Sequence, residues 1–339
     1  MTTLRIVHLV DDTTPGGVMR MLDHLLTLPE LHGHARQTVR VVSKTALSLG
    51  RQNADVIVSH LALSWRTLPA VMSLRALNPG ARLLHTEHSY TRAFTALNVR
   101  HKARFYTMLR TSYALFDGVI SVSRGQADWL LQRGLVRNDA LSVLRPQVDL
   151  SEFGGLEAPD PGGRVVGAFG RLERQKGFDV LIEAFRLVRG DDVRLVIFGQ
   201  GGERPVLEKL AQGDPRISFR GHCGDPAAAL GETHIVAMPS RWEAFGIVAQ
   251  EAQAAGRRVL ASDVDGLADR ESPLIRLEKT LSPEAWAHRL QLLLDAEPSG
   301  ADTGSGSSFT GHRAEYAAQW LQQFRPEQPA TDISAAKAA

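Results

Sequence analysis

The chain of 339 residues contains a single cysteine, Cys223, and few aromatic residues, 6% of the total. One cysteine excludes an intramolecular disulfide, and it excludes a zinc site built from paired cysteines. A reducing compartment suits such a chain, and we expect a cytoplasmic protein. No uninterrupted apolar segment approaches the roughly 18 residues that a membrane-spanning helix needs. The apolar run at residues 6–10 is short and precedes two aspartates, which favours a first β-strand over a signal peptide.

The composition excludes a largely disordered or collagen-like protein, because 43% of the residues are hydrophobic and 22% are charged. A chain of this length can form two domains, each with its own core. The net charge is small, +2, and we expect no nucleic-acid partner.

Short apolar strands alternate with helical patterns from the first strand, LRIVHLV at residues 4–10, onward. This alternation predicts a parallel sheet covered by helices on both faces. It stops at "GGLEAPDPGG", residues 154–163, which is rich in glycine, proline and acids, and then starts again. We therefore predict an α/β protein with two doubly wound, Rossmann-like domains, at residues 1–155 and 164–298.

The C-terminal part of the chain no longer shows the alternation of strands and helices. Ser282 and Pro283 are suited to the N-cap and first position of a helix. Residues 297–308, "EPSGADTGSGSS", are typical of a flexible linker. Residues 311–325 predict one more helix with an apolar face, and the residues after it predict a loose tail.

The first half of the chain is basic, since residues 1–160 contain 18 Lys/Arg and 13 Asp/Glu. Much of the excess lies at residues 91–110, "TRAFTALNVRHKARFYTMLR", where cations alternate with apolar side chains. This pattern predicts one basic amphipathic helix. It could contact anionic lipid at the inner face of the cytoplasmic membrane, or it could be a solvated helix that packs on its own domain.

Ligands of a parallel α/β sheet collect beyond the carboxyl ends of its strands. There the strand RVVGAFG is followed by Gly170, Arg171 and Lys176, and the strand RLVIFG ends at Gly199. Glycine lets the backbone approach a ligand closely, and two cations in one loop match the charge of a diphosphate.

Two acids, Glu243 and Glu251, lie around the start of a predicted helix in "EAFGIVAQE". Free N–H groups of Phe245, Gly246 and Ile247 at this helix start would favour a phosphate. The two carboxylates would lie about 8 to 12 Å apart at 1.5 Å of rise per residue, which suits the ribose and the sugar of a nucleoside diphosphate sugar. Alternatively, the first acid only stabilises the helix start and the second is a solvated helix residue.

Four segments together resemble one family. They are "GAFGRLERQKGFDVLIEAF", "LVIFGQGGERPVLEKL", "ISFRGH" and "MPSRWEAFGIVAQEAQAAGRRVLASDVDGLAD". Their order and spacing are similar to the donor-binding domain of the family-4 retaining glycosyltransferases, and the acid pair resembles that family's E-x7-E motif. The resemblance covers residues 163–269 and extends more loosely over the first domain. It implies the two-domain GT-B fold, a nucleotide-sugar donor in the second domain, a glycan or lipid-linked acceptor in the first, and no metal or cofactor. It also implies that the last helix, at residues 311–325, crosses back onto the first domain.

The resemblance also implies roles for residues of the second domain. Arg171 and Lys176 would neutralise the diphosphate as the nucleotide leaves. Glu251 would hold the ribose, and Glu243 would face the donor sugar. The loop Gly221–His222 would contact the base, a uracil or a guanine.

In the first domain, the resemblance implies that Gly16 and Gly17 form a glycine-rich loop near the reaction centre. His88 would contact the sugar, with His85 as the rival for that role. The predicted catalytic residues are Glu243, His88, Arg171 and Lys176. The predicted donor-binding residues are Gly16, Gly17, Gly170, Arg171, Lys176, Gly199, Gly221, His222, Glu243, Phe245, Gly246, Ile247 and Glu251.

Some positions differ from the family's pattern. Pro146 and Gln147 replace an Asn-Gly pair in the turn before the linker. Asp269 occupies a position where glutamate is common, and residues 270–278 lack the usual glycine-rich return.

Other functions remain open at this point. Asp263 and Asp265 match the D-x-D pattern of metal-dependent glycosyltransferases, although they follow a late strand of the second domain. A GT-B epimerase or phosphorylase would use the same fold, and a non-catalytic nucleotide-sugar-binding subunit would keep the same pocket. A dehydrogenase is disfavoured because no G-x-G-x-x-G follows the first strand of either domain.

Overall fold

The apolar strands form two parallel sheets of six strands each in the computed structural model. The structure describes residues 3–14, 16–160, 162–270, 272–296 and 309–325. The predicted linker at residues 297–308 and the tail after residue 325 lie outside the described residues.

The first sheet has the spatial order β2-β1-β3-β4-β5-β6 and covers residues 4–143. Its strands are β1 (Leu4–Val10), β2 (Ala35–Val41), β3 (Val56–Ser59), β4 (Arg82–Glu87), β5 (Gly118–Ser121) and β6 (Leu141–Val143). The helices of this part of the chain are α1 (Gly17–Thr27), α2 (Leu68–Leu77), α3 (Arg92–Asn98), α4 (Lys102–Tyr113), α5 (Arg124–Gln132) and α6 (Ser151–Gly154). The order of the strands reverses between β1 and β3, and ligands bind at such switch points.

The second sheet has the order β12-β11-β10-β7-β8-β9. Its strands are β7 (Val165–Phe169), β8 (Arg194–Phe198), β9 (Ile217–Gly221), β10 (Ile235–Met238), β11 (Arg258–Ser262) and β12 (Ile275–Glu278). Its helices are α7 (Phe178–Leu187), α8 (Arg204–Ala211), α9 (Pro226–Gly231), α10 (Ile247–Ala254), α11 (Asp265–Ala268) and α12 (Pro283–Asp295). Here the order reverses between β7 and β10, so the loops after these two strands flank the switch point.

The last helix, α13 (Phe309–Phe324), lies against the first sheet rather than the second. Tyr316, Trp320 and Phe324 are buried there in one cluster with residues of β1 and α1. The ion pair between Arg313 and Glu30, 2.7 Å, adds a polar contact at the edge of this cluster.

The basic segment at residues 91–110 is not one helix, and that prediction is wrong. It forms α3 and the start of α4, separated by residues 99–101. Asn98 ends α3, because its side-chain amide donates to the Phe94 carbonyl at 3.0 Å and Val99 takes an extended backbone conformation. Within the described residues, no helix is long and apolar enough to cross a membrane.

Candidate functional site

Loops from neighbouring strands approach each other closely at the carboxyl end of the second sheet. Gly199 has φ +152°, and a Cβ atom there would lie 1.8 Å from the carbonyl oxygen of Gly170. Gly177 has φ +65°, and its Cβ would lie 2.0 Å from the carbonyl oxygen of Pro239. Since neither position can hold a side chain, the loops after β7, β8 and β10 form one closely packed backbone surface.

Lys176 and Glu243 form an ion pair above this surface. The distance from Lys176 Nζ to Glu243 Oε2 is 2.5 Å, and the side chains are only 17% and 12% exposed. The Ser240 hydroxyl donates to the same carboxylate oxygen at 3.4 Å. The predicted phosphate-binding cation and the predicted sugar-facing acid are therefore in direct contact.

Arg171 is exposed and weakly held. Its Nη2 atom donates to Gln175 Oε1 at 3.5 Å, and Gln175 in turn donates to the Trp242 carbonyl at 3.1 Å. An exposed guanidinium with one long hydrogen bond can turn toward an anion in the adjacent loop.

A second cation, Arg270, lies at the N-terminal end of α10. Gly246 is the N-cap residue of this helix, with φ +79°. Arg270 Nη2 donates to the carbonyls of Phe245 and Gly246 at 3.1 and 2.8 Å, and its guanidinium lies 4.4 Å from the centre of the Phe245 ring. Burial lowers the pKa of Arg270 to about 10, so the group stays charged at neutral pH. Sequence reasoning missed this arginine, which adds positive charge beside the helix dipole.

Glu251 lies inside α10 and is 3% exposed, so the alternative of a solvated helix residue is wrong. Its carboxylate forms an ion pair with Arg20 of α1, which belongs to the first sheet's part of the chain. Burial raises the pKa of Glu251. No sequence pattern indicates Arg20, because the ion pair joins helices of two different domains.

A surface pocket of about 200 Å3 opens at the loop after β9. Arg220, His222, Cys223 and Asp225 are among the residues that line it. Burial raises the pKa of the Cys223 thiol, and the negative charge of Glu251 acts on it in the same direction. The predicted base-contacting loop Gly221–His222 contributes His222 to the lining of this pocket.

The glycine-rich loop of the first domain meets α10 directly. Gly16 is the N-cap residue of α1, and Gly17 is its first residue. A Cβ atom on Gly17 would lie 3.0 Å from Ile247 Cδ1. The structure therefore brings together Gly17 and Ile247, which the sequence placed in two different loops of the site.

The two aspartates Asp265 and Asp269 hold helices of the first domain. Asp265 accepts from the Thr91 hydroxyl at 2.7 Å and the Ala93 amide at 3.1 Å, at the start of α3. Asp269 accepts from the amides of Arg124 and Gly125 at the start of α5. Each carboxylate thus caps a helix across the domain interface.

The D-x-D interpretation finds no support in this geometry. The Asp265 carboxylate accepts hydrogen bonds from the start of α3. The described residues contain no group of three or more His, Cys, Asp and Glu that could hold a metal ion.

His88 and its rival His85 have different surroundings. His85 is 1% exposed, lies against Tyr113 and Phe116, and contacts Ser59 and Glu87, so it belongs to the core. His88 is half-buried just after β4, and its Nε2 atom lies 2.9 Å from His60 Nδ1. Of the two, only His88 is accessible from the carboxyl end of the first sheet.

Comparisons with known proteins bear on the family and the fold of this chain. Residues 8–152 match the model of the glycosyltransferase family 4, and residues 163–296 match the model of the glycosyl transferases group 1. A D-inositol 3-phosphate glycosyltransferase of Pseudarthrobacter chlorophenolicus is 31% identical over 316 residues, 85% of this chain and 74% of that protein. The corresponding protein of Jonesia denitrificans is 34% identical over 195 residues, 52% of this chain. That match spans only 43% of the relative's own length.

The crystal structure of HepE from Anabaena in complex with UDP and glucose has a TM-score of 0.68. It is 19% identical and covers 94% of this chain and 95% of its own. The likeness confirms the GT-B fold, with two Rossmann-like domains. The matched family models and the relative aligned over most of its length confirm the predicted family. The chain belongs to glycosyltransferase family 4.

Proposed function

We propose that this protein transfers a sugar from a nucleoside diphosphate sugar to a hydroxyl acceptor, with retention of the anomeric configuration. The observation that carries the proposal is the alignment of three groups along α10. Lys176 and Glu243 lie together near its start, Arg270 lies beside its N-cap, and Glu251 is buried further along the helix. The three parts of a nucleoside diphosphate sugar would match these groups in the same order: the sugar at Glu243, the diphosphate at the cations and the nucleoside at Glu251.

The cations are the part of the site that favours the diphosphate. An anion near the N-terminus of α10 interacts with the helix dipole, and Lys176, Arg171 and Arg270 add three positive charges. Without ligand, Glu243 neutralises Lys176 at 2.5 Å. A phosphate oxygen that shares the ammonium would free the carboxylate to accept a hydrogen bond from a sugar hydroxyl.

In the proposed donor pose, the ribose lies at Glu251 and the base extends toward the pocket after β9. A ribose has two hydroxyl groups that can donate hydrogen bonds. The Glu251 carboxylate, which pairs with Arg20, has further lone pairs that can accept them. The loop Gly221–His222 then borders the base. UDP and GDP sugars are both candidates, and HepE, whose fold this chain shares, was crystallised with UDP and with UDP-glucose.

In the proposed reaction, the acceptor oxygen bonds to the anomeric carbon as the bond to the diphosphate oxygen breaks. The acceptor approaches from the face that the diphosphate leaves, and the acceptor's proton passes to the departing diphosphate. Lys176 and Arg171 stabilise the negative charge that develops there, as preorganised cations do in other sites. Since this charge is already balanced by protein groups, the proposal does not require a metal.

For the acceptor, we propose a glycan or lipid-linked hydroxyl of surface polysaccharide or glycolipid assembly. The support is the basic segment at residues 92–110, which contains Arg100, Lys102 and Arg104, exposed and without ion pairs among the residues that the structure describes. A soluble polyol phosphate is the competing acceptor, since the relatives are named for D-inositol 3-phosphate. Both acceptors present a hydroxyl next to negative charge.

Turnover of radiolabelled sugar nucleotides, with and without candidate acceptors, tests the proposal. We expect product only when acceptor is present, with the anomeric configuration of the donor in its NMR spectrum. Free nucleotide released without acceptor would instead indicate an epimerase, and a requirement for inorganic phosphate would indicate a phosphorylase. Binding of donor without any turnover would indicate a non-catalytic subunit.

A further inference from the structure

Three histidines form a hydrogen-bonded line across the first sheet. His8 belongs to β1, His60 follows β3, and His88 follows β4, which are neighbouring strands. His8 Nδ1 lies 3.0 Å from His60 Nε2, and His60 Nδ1 lies 2.9 Å from His88 Nε2. His8 is 0% and His60 8% exposed, so His88 is the only partly exposed ring of the three. The line therefore connects the interior of the sheet to a predicted substrate contact.

Gln37 of β2 fixes the buried end of this line. Its Oε1 atom lies 3.0 Å from His8 Nε2, and its Nε2 atom donates to the Leu25 carbonyl at 3.2 Å. The reversed amide would place Oε1 against that carbonyl, so two acceptors would face each other. The Leu25 carbonyl thus sets the amide orientation, and His8 Nε2 must carry a proton to donate to Gln37.

One proton position then determines the others, because a neutral imidazole has one donor nitrogen and one acceptor nitrogen. His8 Nδ1 must accept from His60 Nε2, and His60 Nδ1 must accept from His88 Nε2. The remaining nitrogen, His88 Nδ1, is left as an acceptor. Burial lowers the pKa of His8 and of His88 to about 4 and that of His60 well below its usual range, so all three rings are neutral at neutral pH.

The exposed end of the line lies on a segment of the chain that continues to the domain interface. His88 Nδ1 makes no hydrogen bond to any described residue, and the side chain is half-buried. Three residues further on, the Thr91 hydroxyl donates to Asp265 of the second domain at 2.7 Å. The segment that carries His88 therefore leads directly into the domain interface.

We propose that Gln37, His8 and His60 are positioning residues that hold His88 in the tautomer whose Nδ1 accepts a hydrogen bond from a substrate hydroxyl. Identifying that hydroxyl as one of the donor sugar's rests on the proposed function. An acceptor nitrogen selects for a hydroxyl at this place and against a phosphate or carboxylate oxygen, which has no proton to donate. The tautomer itself does not depend on what the substrate is.

Long-range 1H–15N NMR of the full chain, labelled with 15N-histidine and free of substrate, measures the tautomer directly. The His88 signals are assigned by their loss in a His88→Gln variant. We expect the wild-type protein to show His88 protonated at Nε2 and unprotonated at Nδ1. A His88 protonated at Nδ1 would overturn the proposal.

Two variants test the relay. Gln37→Met removes the acceptor at the half-buried edge of the sheet, and His60→Phe interrupts the line. Both should give a mixture of His88 tautomers, and Gln37→Met should raise the KM for the sugar donor about two- to tenfold, the effect of one hydrogen bond. The control is Thr38→Val on the same strand, whose hydroxyl donates to the Ile6 carbonyl and has no contact with the histidines.

A His88 tautomer that stays unchanged in Gln37→Met would contradict the relay, even if His60→Phe failed to fold. Failure of the proposed function has a different signature. In that case calorimetry detects no sugar nucleotide, while the tautomers of substrate-free wild type and variants still differ as stated.

Discussion

Lys176 is the residue on which the proposed chemistry depends most. Lys176→Ala removes the cation next to the departing diphosphate, and Glu243→Ala removes the acid that faces the sugar. We expect each change to lower kcat/KM at least about a hundredfold, as losses of preorganised electrostatic groups do. Thermal unfolding of each variant shows whether the fold is kept.

Lys209→Ala is the matched control, since this exposed lysine lies on α8 away from the loops of the site. Near-normal turnover of Lys176→Ala would contradict the role of this ammonium. The same result for Glu243→Ala would contradict only the sugar contact.

The buried histidines predict how stability depends on pH. The usual pKa is 6.5, and burial lowers that of His8 to about 4 and that of His60 well below its usual value, so unfolding takes up protons as the pH falls below 6.5. The His8 ring therefore lowers the free energy of unfolding by up to about 1.4 kcal/mol per unit as the pH falls from 6.5 toward 4, and the His60 ring acts in the same direction. Above pH 6.5 they contribute no slope.

Urea unfolding at a series of pH values between these limits measures the slope. His60→Gln should make the slope shallower, because one group that takes up a proton on unfolding is removed, and the exposed His32→Gln serves as the control. Equal slopes in wild type and His60→Gln would show that His60 takes up no proton on unfolding.

At the residue scale, the sequence predicts those site residues that belong to a local motif. Lys176 and Glu243 lie in recognisable segments, and the structure places them in contact. Arg20 and Arg270 were missed, because their partners Glu251 and Phe245 are brought to them only by tertiary folding. Which of these groups contacts the donor remains a proposal.

The helices α3 and α5 depend on caps from the other domain. Asp265→Ala would leave the Thr91 hydroxyl and the Ala93 amide without their partner. Loss of an N-cap costs about 1 kcal/mol. We expect faster amide hydrogen exchange at the start of α3 and a larger radius of gyration in solution scattering, because the same contact joins the domains.

Asp263→Ala is the control, as it removes the other acid of the D-x-D pair and leaves the cap. Unchanged exchange in α3 of Asp265→Ala, or an equal change in both variants, would contradict the capping role.

The basic helices α3 and α4 predict binding to anionic lipid. Residues 88–116 contain five Lys/Arg and no Asp or Glu, and Leu97 is 48% exposed. Replacing Arg100, Lys102 and Arg104 with alanine should abolish co-sedimentation with vesicles that contain anionic lipid, at about 1 kcal/mol per cation.

A triple alanine variant of the second domain, at Arg189, Lys209 and Arg220, is the control for the loss of three charges. If co-sedimentation of the wild-type protein with vesicles did not depend on anionic lipid, this result would contradict the hypothesis of a membrane-bound acceptor.

At the element scale, long helices and strands with a clear hydrophobic period can be predicted from the sequence, whereas short edge strands cannot. The strand β1 and the helix α7 follow their patterns. The edge strands β6 and β12 were not predicted, because they have three and four residues and little of their own pattern. The break between α3 and α4 was missed since a side-chain hydrogen bond of Asn98 competes with the helix.

In the whole molecule, the two domains are held together by polar contacts at the cleft and by the packing of Val122 against Ala244 and Phe245. Arg20 and Glu251, Thr91 and Asp265, and Arg174 and Asn98 each join the two domains. These contacts are small compared with the two cores, so relative domain motion is the default expectation. The overall fold was predictable because its repeated strand and helix pattern occurs twice, whereas the pairing across the cleft has no sequence pattern.

The helix α13 contacts the histidine line. Trp320 lies edge-on to His8, with 6.3 Å between ring centres, so the last helix covers the buried end of the line. The sequence predicts the helix from its apolar face, but not this contact.

The central claim is that the second domain binds a nucleoside diphosphate sugar along α10, with Glu251 at its ribose. Isothermal titration calorimetry with UDP and GDP sugars tests it most directly, on wild type, Glu251→Gln and the exposed control Glu208→Gln. We predict saturable binding of one nucleotide type, at least about tenfold weaker in Glu251→Gln and unchanged in the control, because hydrogen bonds to a charged group are lost. Absence of binding by every sugar nucleotide, or equal affinity of wild type and Glu251→Gln, would contradict the account.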